Sequence, residues 1–464
     1  MNILLIQPAL EPDRKWGKHP LQTMFRPAPI TLPTIAACTP PGHDVRIVDD
    51  AFEDIPFDDD TIDVVGITGS TPFAVRMRQI ADGFRARGRA VVVVGGVYAT
   101  LCPDDAKAFA DAVVTGDAED TWPAILADVQ RGALQPFYRS VRPPLTGRPF
   151  PRRELLTSWR YILPTSFQFT RGCVHSCDFC SINLQYGRQV RATPIDAVVD
   201  DIRRARRHRL RPLMFWDDNI INDRRWTLEL FHRLKDLDIK WVGQSTMLIA
   251  DDPELLAAAS ASGCKALFFG VESFDQASLK ETRKGFNKVQ TYRDKFARIH
   301  DHGISIQAGI IFGFDHDDRG VFERTVEAAV AVKIDVAAFS LLTPYPGTDI
   351  YRRMERDGRI LTYDLSKYDS DNVVFRPARM TAEELQEGWH WAQHQFYSVP
   401  NIFRRTWGTG ASWRINIATS IQYNWFTKAR FPRGYNPAAR GGSDIEPPPP
   451  DRRGSVRLPV VGSS

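Results

Sequence analysis

Short apolar runs alternate with segments of helical period along most of this chain. Ile3-Leu4-Leu5-Ile6, Val45-Arg46-Ile47-Val48, Val64-Val65-Gly66-Ile67, Val91-Val92-Val93-Val94 and Val113-Val114 read as five short strands. Near-continuous apolar character of this length suits parallel strands covered on both faces. Helical segments intervene, such as 74–87 and 120–131. The pattern predicts a doubly wound, Rossmann-like α/β domain over residues 1–139, whose ligand belongs at the C-terminal strand ends. Pro143, Pro144, Pro149 and Pro151 then mark a linker, 140–160.

Six further strand–helix repeats follow. Their strands are expected near Phe167 (within Thr165-Ser166-Phe167-Gln168-Phe169-Thr170), Leu213–Trp216, Ile239–Val242, Ala266–Phe269, Ile304–Phe312 and Val336–Leu342. Ile195, Val198, Val199, Ile202 and Ala205 show the helical spacing of the first intervening helix. Six repeats make a partial (β/α)6 TIM barrel, 161–345, open on one side. Residues 346–429 read as a helical C-terminal region. Its aromatic stretch from Met380 to Trp407 suits packing over the barrel mouth, or a lipid-like or aromatic substrate pocket. Residues 430–464, with Pro447 to Pro450 and many Gly and Ser, have the composition of a disordered tail.

Composition changes this picture little. With 464 residues, 43% hydrophobic and 25% charged, the chain has the make-up of a soluble globular protein of two or three domains. A net charge of +4 gives no argument for nucleic acid. No apolar run approaches the ~18 residues of a membrane span. No basic segment precedes the apolar run at the N-terminus, so no signal peptide is expected there. Six cysteines in so long a chain do not suggest a disulfide framework. Cys38, Cys102 and Cys264 are scattered and read as small core residues. The expected compartment is the cytoplasm.

Candidate chemistry concentrates in Cys173-Val174-His175-Ser176-Cys177-Asp178-Phe179-Cys180. Arg171-Gly172 turns the chain from the first barrel strand into this loop, where barrel enzymes keep their chemistry. Three thiolates in one loop suit three irons of a 4Fe–4S cluster, with one iron left open. Zinc sites usually draw on two Cys/His pairs, and no second pair lies nearby. Other strand ends carry Asp217-Asp218-Asn219, Gln244-Ser245, Gly270-Val271-Glu272-Ser273 and Gly309-Ile310-Ile311-Phe312-Gly313. Each alone could be a capped turn. In the N-terminal domain, Thr68-Gly69-Ser70-Thr71, Gly95-Gly96-Val97 and Thr115-Gly116-Asp117-Ala118-Glu119 close strands with glycine and hydroxyl groups, which ordinary βα turns also do. The first strand lacks a following G-x-G-x-x-G, which argues against a dinucleotide.

The Cys-x3-Cys-x2-Cys loop after a first strand, with an aromatic before the last cysteine, resembles the radical S-adenosylmethionine superfamily. The ordered turns of residues 1–135 resemble the cobalamin-binding domain found ahead of many radical enzymes. Together they resemble the cobalamin-dependent radical S-adenosylmethionine enzymes, in particular the class B methyltransferases. The resemblance implies a 4Fe–4S cluster on Cys173, Cys177 and Cys180, with S-adenosylmethionine on the open iron. It implies Glu272 and Ser273 near the ribose and methionyl end of that molecule, with Gly309, Ile311, Gly313 and Phe179 at its adenine. It implies Ser70 and Thr71 near the corrin tail, with Gly95, Gly96 and Gly116 lining the nucleotide slot. The family's Asp-x-His-x-x-Gly motif is replaced by Glu11-Pro12-Asp13-Arg14-Lys15-Trp16-Gly17, with Lys15 at the histidine position and His19 out of register. Bound cobalamin is therefore expected without a histidine axial ligand.

The activity so implied is C-methylation of an unactivated carbon in a small-molecule metabolite, by way of a 5′-deoxyadenosyl radical and methylcobalamin. The same domains could serve a radical cyclase or rearrangement enzyme, or a non-catalytic corrinoid or iron–sulfur electron-transfer protein. A methylthiotransferase fits less well, because residues 1–150 lack a second cysteine trio. The residues name no general base. The basic run Arg203 to Arg209 suits a solvated helix face, or docking of an acidic flavodoxin- or ferredoxin-like reductant.

Overall fold

The computed structural model describes residues 1–10, 27–205, 211–409 and 413–430. The loop 11–17 that bears on axial ligation, most of the basic run at 203–209, and all but Arg430 of the 430–464 tail lie outside the described residues.

The N-terminal sheet has six strands: β1 Asn2–Gln7, β2 Asp44–Asp49, β3 Val64–Thr68, β4 Val91–Gly95, β5 Ala112–Thr115 and β6 Phe137–Arg139. Their order is β2-β1-β3-β4-β5-β6, and every pairing is parallel. The first five are the apolar runs of the sequence. Their branched side chains alternate between two separate cores, one on each face. Gly66 breaks the run in β3 for a packing reason: a Cβ there would lie 2.8 Å from Leu5 and 3.4 Å from Trp122. β6 is too short and too exposed to show in the sequence pattern. Strand order reverses between β1 and β3, which opens a crevice at their C-terminal ends.

The second sheet also has six strands, with neighbours in sequence order and every pairing parallel. Its strands are β7 Ser166–Phe167, β10 Leu213–Phe215, β11 Trp241–Ser245, β12 Cys264–Glu272, β13 Ser305–Phe312 and β14 Val336–Leu341. This is a partial barrel of six strands, open between β7 and β14.

Three details correct the sequence reading. The expected strand 165–170 is split, because the Asp217 carboxylate takes the amides of Phe169 and Thr170 away from the ladder. After that break, β8 (Thr170–Arg171) pairs antiparallel with β9 (Arg191–Ala192), clasping both ends of the cysteine loop. β11 begins at Trp241, two residues later than expected, and ends in Gln244 and Ser245 as the sequence suggests.

The aromatics of 380–407 do not cover the barrel mouth. Helix Ala382–Phe396 lies along the open edge of β14. Its Trp389 Nε1 donates to the Phe339 carbonyl at 2.9 Å. The Tyr397 hydroxyl just beyond it accepts from the Ala337 amide and donates to the Ala337 carbonyl. The helix thereby satisfies edge groups that would otherwise stand unpaired.

Candidate functional site

The cysteine loop is held from several directions. Gly172, at φ 93°, starts it in a conformation that L side chains rarely adopt, and a Cβ there would press on the Gln189 carbonyl. Asn222 donates to the Gly172 carbonyl at 3.0 Å, and Asn183 to the His175 carbonyl at 2.7 Å. The His175 ring stacks on Phe286 at 4.0 Å. The buried Asp178 carboxylate pairs with Arg353 at 3.0 Å. Burial raises all three thiols, Cys177 to about 11 and Cys180 to about 12, while the Lys284 cation opposes the rise. Among the described residues no three His, Cys, Asp or Glu side chains converge on a single metal ion. A cubane cluster asks for a different arrangement, three thiolates on three separate irons, and one braced loop with three cysteines supplies it.

Lys284 is the residue that the sequence did not single out. It forms a buried ion pair with Glu272 and lies 6.0 Å from the Phe179 ring centroid. Glu272 reaches it from a left-handed backbone at φ 64°, where the pairing of β12 with β13 shifts register. Gly270 makes the room: a Cβ there would collide with both charged groups. No periodicity or motif around Lys284 marks it, since it follows the short helix Gln276–Glu281 in a polar segment.

Phe179, Glu272, Gly309 and Ile311 line one cavity of about 220 Å³, together with Tyr345. Ser273 and Gly313 are elsewhere. The Ser273 hydroxyl accepts from the Asp275 amide at 2.9 Å, and so serves the turn. Gly313, at φ 109°, donates its amide to Asp317 and faces Phe375 and Leu385. Asp217 is spent on the split strand, and burial pushes its carboxyl up to about 6. Burial, with the charge of Asp217 added, pushes Asp218 up to about 7. Asp218 accepts from the Gly172 amide, and its Oδ2 has no partner among the described residues.

A second cavity, of about 260 Å³, opens at the crevice between β1 and β3. Ser70, Gly95, Gly96 and Gly116 line it, with Gln7 and Glu119. Thr71 does not line it; it is buried in the turn behind, and its hydroxyl finds no partner among the described residues. The glycines make this wall out of backbone. At Gly96, φ 89°, a Cβ would strike the Thr68 hydroxyl and the Gly69 backbone. The far wall comes from the barrel: Gln168 and Arg171 precede the cysteine loop, and Gln185 and Tyr186 follow it.

Charge fastens the two walls together. The buried Arg171 guanidinium contacts Asp117 at 2.9 Å and Glu119 at 2.5 Å, and Arg191 contacts Asp117 at 2.6 Å. Arg148 also pairs with Glu119. Burial works against ionisation of Glu119, yet Arg171 and Arg148 hold its carboxyl down to about 2.

Comparison with known proteins decides the family. Residues 167–329 match the Radical SAM superfamily, and residues 348–425 match a domain of unknown function. The bacteriochlorophyllide d C-12(1)-methyltransferase of Chlorobaculum tepidum is 31% identical over 88% of this chain and 90% of its own length. This chain belongs to the radical S-adenosylmethionine methyltransferases. The hopanoid C-2 methylase of Rhodopseudomonas palustris is 28% identical over 75% of this chain and 68% of its own length. The fold agrees with that of the radical S-adenosylmethionine methyltransferase TsrM from Kitasatospora setae, solved with cobalamin and a [4Fe-4S] cluster bound. The TM-score is 0.67 at 16% identity, over 92% of this chain and 99% of that one. S-adenosylmethionine goes with the matched superfamily; cobalamin and the [4Fe-4S] cluster are what the TsrM structure holds. No helix among the described residues is long and apolar enough to cross a membrane.

Proposed function

We propose that this enzyme methylates an unactivated carbon of an apolar, ring-bearing small molecule. One observation carries the reading: the backbone-walled crevice cavity is closed on its far side by residues that flank the cysteine loop. A ligand in that cavity and a cluster on that loop would be neighbours. Bound there, the cluster and S-adenosylmethionine would supply a hydrogen-abstracting radical, and cobalamin the methyl group.

The residues present fit these groups. On this reading residues 1–139 take the corrinoid, with Ser70, Gly95, Gly96 and Gly116 against its nucleotide tail. Cys173, Cys177 and Cys180 hold the cluster. Glu272 and Lys284, with Phe179, Gly309 and Ile311, shape the pocket for S-adenosylmethionine within residues 161–345. The charged lock at Arg171 sets the separation of the two sites, and the apolar core around them excludes water. The substrate class rests on the relatives, which act on a bacteriochlorophyllide and on hopanoids, both apolar polycyclic molecules. A flavodoxin- or ferredoxin-like protein of the cytoplasm is the reductant this chemistry calls for.

The test uses anaerobically reconstituted protein, S-adenosylmethionine with a trideuterated methyl group, and an extract of apolar metabolites. A metabolite that gains one trideuterated methyl in place of hydrogen supports the reading. A ring-closed or dehydrogenated product without label would make the enzyme a cyclase.

A further inference from the structure

The C-terminal helices carry an exposed face that the proposed chemistry does not use. Helix Val399–Thr406 buries Ile402, Arg405 and Thr406 on one side. Its other side exposes Val399 (53%), Phe403 (41%) and, just past the end, Trp407 (62%), at helical spacing. Trp407 continues across to the next helix, Trp413–Arg430, with its ring 5.0 Å from that of Trp413. On that helix Ile421 is exposed as well (48%). Scattered exposed apolar residues are ordinary; a run bridging two helices is not.

The segment that forms this face is one-sided in charge. From Gly388 to Ser443 the sequence holds no Asp or Glu, although the whole chain balances 60 basic residues with 56 acidic ones. Arg404 and Arg414 are exposed beside the apolar side chains, and the Arg414 guanidinium lies 5.3 Å from the Trp413 ring centroid. Aromatic and branched apolar groups flanked by arginine, in a segment whose sequence holds no carboxylate, suit an element that lies in a membrane interface. The rings enter the headgroup layer and the guanidinium groups reach the phosphates.

Geometry argues against the other occupants. The two helices sit at the N-terminal ends of β13 and β14. There Arg405 donates to the Ile334 carbonyl at 3.3 Å, and Asn416 to Asp335 at 2.8 Å. This is the end of the barrel away from the cysteine loop, so a reductant docked here would gain no approach to the cluster. A second copy in a two-fold interface would set this segment against itself, and the segment holds no acidic group to answer Arg404 and Arg414.

We propose that this face docks the enzyme on the surface of an anionic bilayer, without spanning it. The inference does not depend on the methylation reading, because its readout is lipid binding. The test is co-sedimentation of the purified full chain with phosphatidylcholine vesicles, with and without phosphatidylglycerol. Binding is expected only where phosphatidylglycerol is present, and it should weaken with added salt. Phe403→Ser with Trp407→Ser, and separately Arg404→Glu with Arg414→Glu, should each lower the bound fraction by roughly tenfold while iron content is kept. The charge-reversed pair changes exposed side chains only, so it stands as the check if the apolar pair fails to fold. Sedimentation with neither vesicle, or equal sedimentation with both, overturns the proposal. So does a dimer in light scattering that becomes monomeric in the Phe403 and Trp407 variant without vesicle binding, since the face would then be a self-interface.

Discussion

Two charges drawn out of water beside the cluster loop make the Glu272–Lys284 pair the most exacting residue-scale feature of the site. Removing one partner strands the other. Lys284→Met should therefore destabilise the fold by roughly 3–5 kcal/mol, read as a shift of the urea midpoint at unchanged slope. Adding Glu272→Leu should restore most of that stability, because the stranded charge goes as well. It should not restore S-adenosylmethionine cleavage, if the pair shapes that pocket. Gly270→Ala tests the same point from the backbone side: its methyl group must push the pair apart, so it should resemble Lys284→Met. The sequence made Glu272 visible, because it closes an apolar strand. It hid Lys284, because a lone lysine in a polar segment looks like any solvated side chain. Ser273, Gly313 and Thr71 were legible as strand-end residues, yet the structure uses the first for a turn and packs the other two behind the cavities.

Secondary structure was the most legible level, and its failures share a cause. Strand runs of Val and Ile in the N-terminal sheet fall within a residue or two of their expected bounds, because continuous apolar character leaves no alternative to burial on both faces. The expected strand at 165–170 fails because a buried carboxylate 47 residues further on, Asp217, takes its amides, and local pattern carries no sign of that. The aromatic run 380–407 likewise says that rings are buried, but not against what. Here Trp389, Phe396 and Tyr397 are buried at the edge of β14, where the Tyr397 hydroxyl serves both polar groups of Ala337, while Trp391, Phe403 and Trp407 stay exposed. Tyr397→Phe should leave that amide and carbonyl unpaired in a dry place. The expected cost is about 1–3 kcal/mol, measurable by thermal or urea unfolding. Cluster content in the folded variant should be unchanged.

At the scale of the whole molecule, the proposed function asks the crevice cavity and the cysteine loop to keep a fixed separation, and Arg171 ties the two together. It leaves the strand ahead of the cysteine loop and ends between Asp117 and Glu119, in the turn that also lines the crevice cavity. Arg171→Met should leave Asp117 with Arg191 and Glu119 with Arg148, and remove the cation that joins the two. Retention of hydroxocobalamin through gel filtration should fall, while iron per chain stays near that of the parent protein. The most direct measurement of the central claim follows both halves of the chemistry in one reaction. Protein reconstituted with iron, sulfide and hydroxocobalamin is given a strong reductant and S-adenosylmethionine with a trideuterated methyl group. The account predicts labelled corrinoid together with release of S-adenosylhomocysteine and 5′-deoxyadenosine, and loss of 5′-deoxyadenosine alone when Cys173, Cys177 and Cys180 are all changed to alanine. 5′-Deoxyadenosine from the triple variant, or a corrinoid that stays unlabelled in the parent protein, would contradict it.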